Sequence, residues 1–250
     1  MDVTADRASH SLIVPRCLTG RLELGILLGM FQVHWRVWLP FVLPYAIYVL
    51  MTSLEPYFPS AYPILYGIKF VVVAAVIALL WKGLPLQKFP SARWVGVAVI
   101  SGIILTAMWV GIDPLVRHAG PSHDRIGFNP YSIHNVADRT AFLAVRIAGL
   151  ALLVPVLEEA LYRGFLLRVV VDQEDFRTVP IGVVTWLGLA VNIIMFTLSH
   201  PEHVVAALFS AAMCGLIWKS KNLWVPIIAH GVTNLGLAMF ILQTHKWWYW

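Results

Sequence analysis

The sequence predicts an all-α fold: a polytopic transmembrane helix bundle of about seven spans, or eight with an N-terminal interfacial helix. Three observations predict it. Of the 250 residues, 59% are hydrophobic and only 12% are charged, whereas a soluble domain carries roughly a quarter charged residues. The mean hydropathy is +0.76. The apolar residues gather into runs of roughly 20, the length that crosses a bilayer core as a helix.

Taken in order, residues 1–36 read as a cytoplasmic tail and interfacial segment. Residues 1–20 lack the apolar core of a signal peptide. The mixed stretch 22–33 is too short for a span and reads as an interfacial helix. Residues 37–250 form the transmembrane domain, with spans expected at 37–53, 62–82, 93–112, 141–164, 180–199, 203–219 and 223–243, and with the catalytic core at 141–243. The one long polar loop, 113–140, is rich in Pro, Gly, Asn and Asp and reads as irregular or as short helices. Asp113, Asp124 and Asp138 read as its loop and cap residues.

The net charge is +5, with most cations between apolar runs. In a membrane protein such charge reports topology. With the N-terminus inside, the cytoplasmic segments hold twelve cations: Arg7, Arg16, Arg21, Arg36, Lys82, Lys88, Arg93, Arg163, Arg168, Arg177, Lys219 and Lys221. The outer segments hold four, Arg117, Arg125, Arg139 and Lys246. This asymmetry places the N-terminus in the cytoplasm. The terminal HKWWYW fits an aromatic belt at the opposite interface. No basic cluster alternates with aromatics, which excludes nucleic acid as a partner. Cys17 and Cys214 are the only cysteines, so neither a disulfide framework nor a CxxC site is available.

Ionisable residues inside apolar runs cost roughly 2.5–3.5 kcal/mol on insertion scales and mark function by default. Three groups stand out: Glu158, Glu159 and Arg163; Phe196 and His200; His230 and Asn234. Each contains a pair four residues apart, which a helix stacks on one face. Three helices can thus aim polar groups into one pocket. Glu159 and Arg163 neutralise each other. Glu158, turned about 100° away, is left to act as a base. A carboxylate among Val, Leu and Ala is poorly hydrated, the setting in which general acid–base catalysis works near neutral pH. His200 can orient a water, and His230 with Asn234 can face a developing oxyanion. A base, a positioned water and an oxyanion hole make a hydrolase. Lys69 reads as a snorkelling or paired structural lysine, Arg146 as paired with an acid or carbonyls, and Asn192 as packing glue on the stripe of Phe196 and His200.

EEALYR, FTLSH and HGVTN fit EExxxR, FxxxH and HxxxN. In order and spacing, the three motifs resemble the CPBP family of CAAX proteases and bacteriocin-processing enzymes (the Abi family), which includes the type II CAAX prenyl endopeptidases. LEPYFP, WVGID, GFNPY, FRTVPIGVVTW and the Trp-rich C-terminus resemble a bacterial subgroup associated with exosortase protein-sorting systems. The resemblance implies a glutamate-dependent, metal-independent intramembrane endopeptidase in a bacterial inner membrane. It implies no cofactor, and a peptide or protein substrate in or at the bilayer. Glu158 would activate water with support from Glu159 and Arg163; His200 would share the water; His230 and Asn234 would bind the oxyanion; Phe196 would pack against them. One departure from the family pattern is PEH after His200, where Pro201 ends or kinks the helix.

Glu158 falls late in the fourth span and His200 at the end of the fifth, which in simple antiparallel helices would separate them. The sequence resolves this if the fourth helix runs on through GFLLRVVV and the fifth stops short at Pro201. Two other functions compete. One is a non-catalytic membrane partner of a sorting system. The other is a zinc protease using His200, His230 and a carboxylate, although the chain has no HExxH. A transporter lacks support, because no repeat or pair of broken helices is seen.

Overall fold

The computed structural model describes residues 20–117 and 127–249. Residues 1–19 of the expected tail and the middle of the polar loop lie outside them. The chain divides into two units, Met1–Arg36 and Val37–Trp250, and the account below concerns the second.

The described residues are helical and contain no strand. Seven helices follow in order: α1 (Gly20–Leu54), α2 (Tyr62–Leu80), α3 (Ala92–Arg117), α4 (Val136–Val169), α5 (Trp186–Leu198), α6 (His203–Ser220) and α7 (Trp224–Thr244). Six segments are long and apolar enough to cross a membrane, and α5 is a shorter apolar helix. The stretch 22–33, expected as an interfacial helix, belongs to the first unit and is helical. Side chains such as Leu79 (83% exposed) and Trp186 (88%) point outward. A soluble monomer rarely exposes so much apolar surface, whereas a lipid-facing surface requires it.

Helix α4 runs on past Arg163, as the sequence predicts. It begins at an Asn135 cap, whose side chain accepts from the Ala137 and Asp138 amides, and it runs 34 residues to Val169. That is about 50 Å of ideal helix, against a hydrocarbon core of about 30 Å. Glu158 therefore lies about three turns before the end of the helix rather than at its end. Two stretches of α4 widen to π-helix, Gly149–Leu153 and Ala160–Leu166, and they flank the glutamate pair. The first has a visible cause in Pro155. In the widened turn Val154 N–H donates to Gly149 O. The Leu150 carbonyl then lacks both usual donors, since Val154 is engaged and Pro155 has no N–H. Asn234 of α7 supplies the missing donor, with Nδ2 at 2.9 Å. Gly231 lets α7 come that close: a Cβ there would lie 2.5 Å from the Ala151 carbonyl.

Helix α5 begins later than the expected 180. Pro180 and the left-handed Gly182 (φ 83°) keep the chain irregular, and the helix starts after Thr185, whose Oγ1 accepts from Gly188 N at 3.0 Å. It ends at Leu198, before Pro201, as the sequence predicts. At 13 residues it is about 20 Å long, so His200 follows a short helix. Arg168, at the end of α4, folds the 170–185 loop back by donating to the Gly164, Arg177 and Val179 carbonyls at 3.0, 2.9 and 2.7 Å. In that loop Asp175 hydrogen-bonds Arg177 and raises its hold on its proton. Both are exposed, so the pair adds little stability.

The core is a continuous apolar cluster between α3, α4, α5, α6 and α7, centred on Trp109, Phe196, Phe209 and Met213. A second cluster joins α1 and α2 to α4 through Phe41, Val73, Leu157 and Phe165. The polar groups described next sit where α4, α5, α6 and α7 meet. Elsewhere, Lys69 pairs with Glu55 at 2.6 Å and donates to Thr52 Oγ1 at 3.0 Å. It is the paired form of the structural lysine expected from the sequence. The Arg146 guanidinium lies over the Tyr66 ring, 4.5 Å from its centroid.

Candidate active site

Glu158, Glu159, Arg163 and His230 form one buried polar cluster. Glu159 and Arg163 are fully buried, and Glu158 and His230 nearly so. Glu159 Oε1 accepts from Arg163 Nη1 at 3.2 Å and from His230 Nδ1 at 2.8 Å. Arg163 Nη2 also donates to the Ser210 carbonyl (3.2 Å) and hydroxyl (3.0 Å) of α6. These contacts follow from helical spacing. Residues 159 and 163 stack along one face, and α6 and α7 supply acceptor and ring from across the bundle.

Glu158 has a different environment. Its Oε2 is 4.0 Å from His230 Nε2, and that oxygen is buried without a protein hydrogen-bond partner. His230 thus stands between the carboxylates, bonded to one through Nδ1 and facing the other with Nε2. Tyr162, one turn beyond Glu158, donates its hydroxyl to Ser199 Oγ at 3.1 Å and lies 3.0 Å from Tyr45 Oη of α1.

His200 lies just past α5 and is half-buried. Its ring stacks on Phe196, with centroids 4.2 Å apart. Its Nδ1 is 2.9 Å from the Phe196 carbonyl and 3.1 Å from Ser199 Oγ. A carbonyl only accepts, so Nδ1 carries a proton. Phe196 is the hub of this side: the Arg163 guanidinium lies 4.9 Å over its ring, and the His230 ring is 6.4 Å away.

Of the seven residues singled out in the sequence, four meet in direct polar contact or across 4.0 Å: Glu158, Glu159, Arg163 and His230. Phe196 packs against them, and His200 joins through Phe196. Asn234 reaches the Leu150 carbonyl one turn along α7. Among the described residues, no three His, Cys, Asp or Glu side chains are grouped as ligands of a metal ion would be.

Sequence reasoning missed Tyr45, Tyr162, Ser199 and Ser210. Tyr162 had a signal, its four-residue spacing from Glu158. Asn192, read as packing glue, is fully buried and donates to the Tyr162 carbonyl at 2.6 Å, inside the second widened turn.

Residues 140–236 match the family model described as "Type II CAAX prenyl endopeptidase Rce1-like". The match covers less than half of the chain and includes all seven singled-out residues. Comparison with curated proteins and with solved structures returned no match. The similarity, with the apolar helices, points to a membrane-embedded peptidase of CAAX type.

Proposed function

We propose that this chain is a glutamate-dependent intramembrane endopeptidase, with water as the nucleophile. The observation that carries the reading is Glu158 Oε2. It is a buried carboxylate oxygen with no protein partner; Glu159 Oε2 is another, but Glu159 is held through Oε1 by Arg163 and His230. One carboxylate is structural and the other is free to take a proton.

In this reading Glu158 accepts a proton from water while the His200 Nε2 lone pair accepts the water's other hydrogen. The hydroxide oxygen attacks the scissile carbonyl. His230 Nε2–H and the second amide N–H of Asn234 donate to the oxyanion, the first N–H being given to Leu150 O. This requires a proton on both His230 nitrogens. As the tetrahedral adduct collapses, the C–N bond breaks and Glu158 passes its proton to the leaving amine. The products are a carboxylic acid and an amine, and the acid's proton then passes to the amine. Eleven cations against four, with the buried Arg163 left out of the cytoplasmic count, support a cytoplasmic N-terminus, and the family resemblance supports a bacterial inner membrane. The resemblance of LEPYFP, GFNPY and the Trp-rich C-terminus supports a link to an exosortase-type export system.

The test is Glu158→Gln at matched expression in the native cell, with membrane-protein termini compared by mass spectrometry. A general base contributes roughly 10²–10⁴-fold, so a specific cleaved terminus should vanish and its longer precursor accumulate. Unchanged termini, with a deletion phenotype rescued by the Gln variant, would replace this reading with a non-catalytic scaffold. Cleavage lost to a chelator and restored by zinc would replace it with metal chemistry.

A further inference from the structure

The catalytic reading leaves unexplained how His200 is kept in place. The ring sits beyond the last turn of a short helix, followed by Pro201, where an α-helix has unsatisfied carbonyls and frays. Its own backbone amide reaches only Thr197 O, at 3.1 Å, and Ser199 N reaches Phe196 O at 3.2 Å. A water shared between Glu158 and His200 nevertheless needs both groups fixed to a fraction of an ångström.

A cross-link between the two elements is present. Tyr162 lies four residues after Glu158, on the same face of α4. Its hydroxyl donates to Ser199 Oγ at 3.1 Å, and Ser199 Oγ donates to the Phe196 carbonyl at 2.7 Å. That carbonyl is also the partner of His200 Nδ1. Tyr45 Oη, from α1, meets Tyr162 Oη at 3.0 Å, and the two rings meet edge to face. With the Tyr162 proton given to Ser199, Tyr45 donates to Tyr162. Three hydroxyls therefore point their protons one way, from α1 through α4 to the carbonyl that holds the His200 tautomer.

We propose that Tyr162 is a positioning residue that ties the His200 turn to the Glu158 helix, and that Tyr45 completes the tie from α1. This rests on the reading that Glu158 and His200 share the nucleophilic water. It also gives α1, which lies outside the matched segment 140–236, a part in catalysis.

The experiment uses the full chain in bilayers, with the substrate found through the Glu158→Gln comparison. Tyr162→Phe keeps the ring against Tyr45 and Phe196 and removes only the hydroxyl. Ser199→Ala cuts the same link from the other end, should the first variant fold poorly. Each is expected to lower kcat by roughly 10–100-fold, the scale of an ångström-level misplacement, with KM changed less than about twofold. Added to His200→Ala, Tyr162→Phe is expected to cost less than about twofold more, because the residue it positions is gone. Tyr45→Phe should follow the same pattern more weakly. A raised KM with kcat intact would make Tyr162 a substrate contact and overturn the proposal, as would an undiminished effect in the His200→Ala background.

Backbone amide exchange of residues 196–203 reads the tie without turnover. It is expected to quicken in Tyr162→Phe and Ser199→Ala and to stay at wild-type rate in Glu158→Gln. Unchanged exchange in both hydroxyl variants overturns the tie. Quickened exchange in a chain with no Glu158-dependent cleavage would show the tie present and the catalytic reading at fault.

Discussion

Arg163 gives the strongest prediction about stability. Its side chain is fully buried, and the acid paired with it, Glu159, is fully buried too. At the 3.2 Å separation of Arg163 Nη1 and Glu159 Oε1, the attraction at an effective dielectric constant near 20 is about 5 kcal/mol. That gain offsets the desolvation of both ions, so the net worth of the pair is small. Removing one member is another matter. Arg163→Met leaves Glu159 buried with only His230, and leaves the Ser210 carbonyl without its charged donor. The expected loss is about 3–5 kcal/mol. The double variant Arg163→Met, Glu159→Gln removes the stranded charge and should recover more than half of it. The assay is reversible unfolding in mixed micelles, by detergent titration, of the wild type, both singles and the double. Additivity of the two singles, or a loss under about 1 kcal/mol for Arg163→Met, would show that the pair behaves as a solvated one and refute the reasoning.

Two further predictions use the same assay. Asn192→Ala removes the side-chain donor and strands the buried Tyr162 carbonyl that accepts from it, which should cost about 1–3 kcal/mol. It should also lower turnover, since Tyr162 sits on that turn; wild-type stability would show that the widened turn satisfies itself. Gly231→Ala puts a Cβ 2.5 Å from the Ala151 carbonyl, so α7 must back away, at a cost of about 1–3 kcal/mol. His230 and Asn234 move with it, so cleavage should fall more than stability does. Gly215→Ala, which meets nothing within 4 Å, is the control and should gain up to about 1 kcal/mol from helix propensity. Equal effects at the two glycines would remove close approach as the cause.

The site residues were legible because charge inside an apolar run has no cheap alternative explanation. Glu158, Glu159, Arg163 and His230 stand out against the leucines and valines around them, and the structure brings them into one cluster. The helix count was legible for a similar reason, since length and hydropathy decide it. The start of α5 was not, because averaging hydropathy over 180–199 hides Pro180 and Gly182, whose local effect prevails. Tyr45 was invisible for a different reason. A tyrosine in a membrane protein is ordinarily an interface anchor, and only the packing of α1 on α4, over a hundred residues away in sequence, reveals its partner.

The widened turns show why polar residues and backbone irregularity accompany each other here. A proline in an apolar helix frees a carbonyl that lipid cannot satisfy, so a neighbouring helix must bring a donor. Pro155 frees Leu150 O and Asn234 fills it; in the second turn Asn192 donates to Tyr162 O. This bears on the proposed oxyanion role of Asn234. An amide has two N–H groups, and fixing one on a backbone carbonyl aims the other without further loss of side-chain freedom. His230 is treated alike, with Nδ1 fixed on Glu159 and Nε2 turned toward Glu158. Asn234 is thus held by one of its two N–H groups and offers the second, and His230 is held at Nδ1 with Nε2 left facing Glu158. Preorganisation of this kind is what makes hydrogen-bond donors effective against charge that develops only during the reaction. The bond from Asn234 to Leu150 therefore supports the catalytic assignment, since a freely rotating asparagine would be the poorer donor.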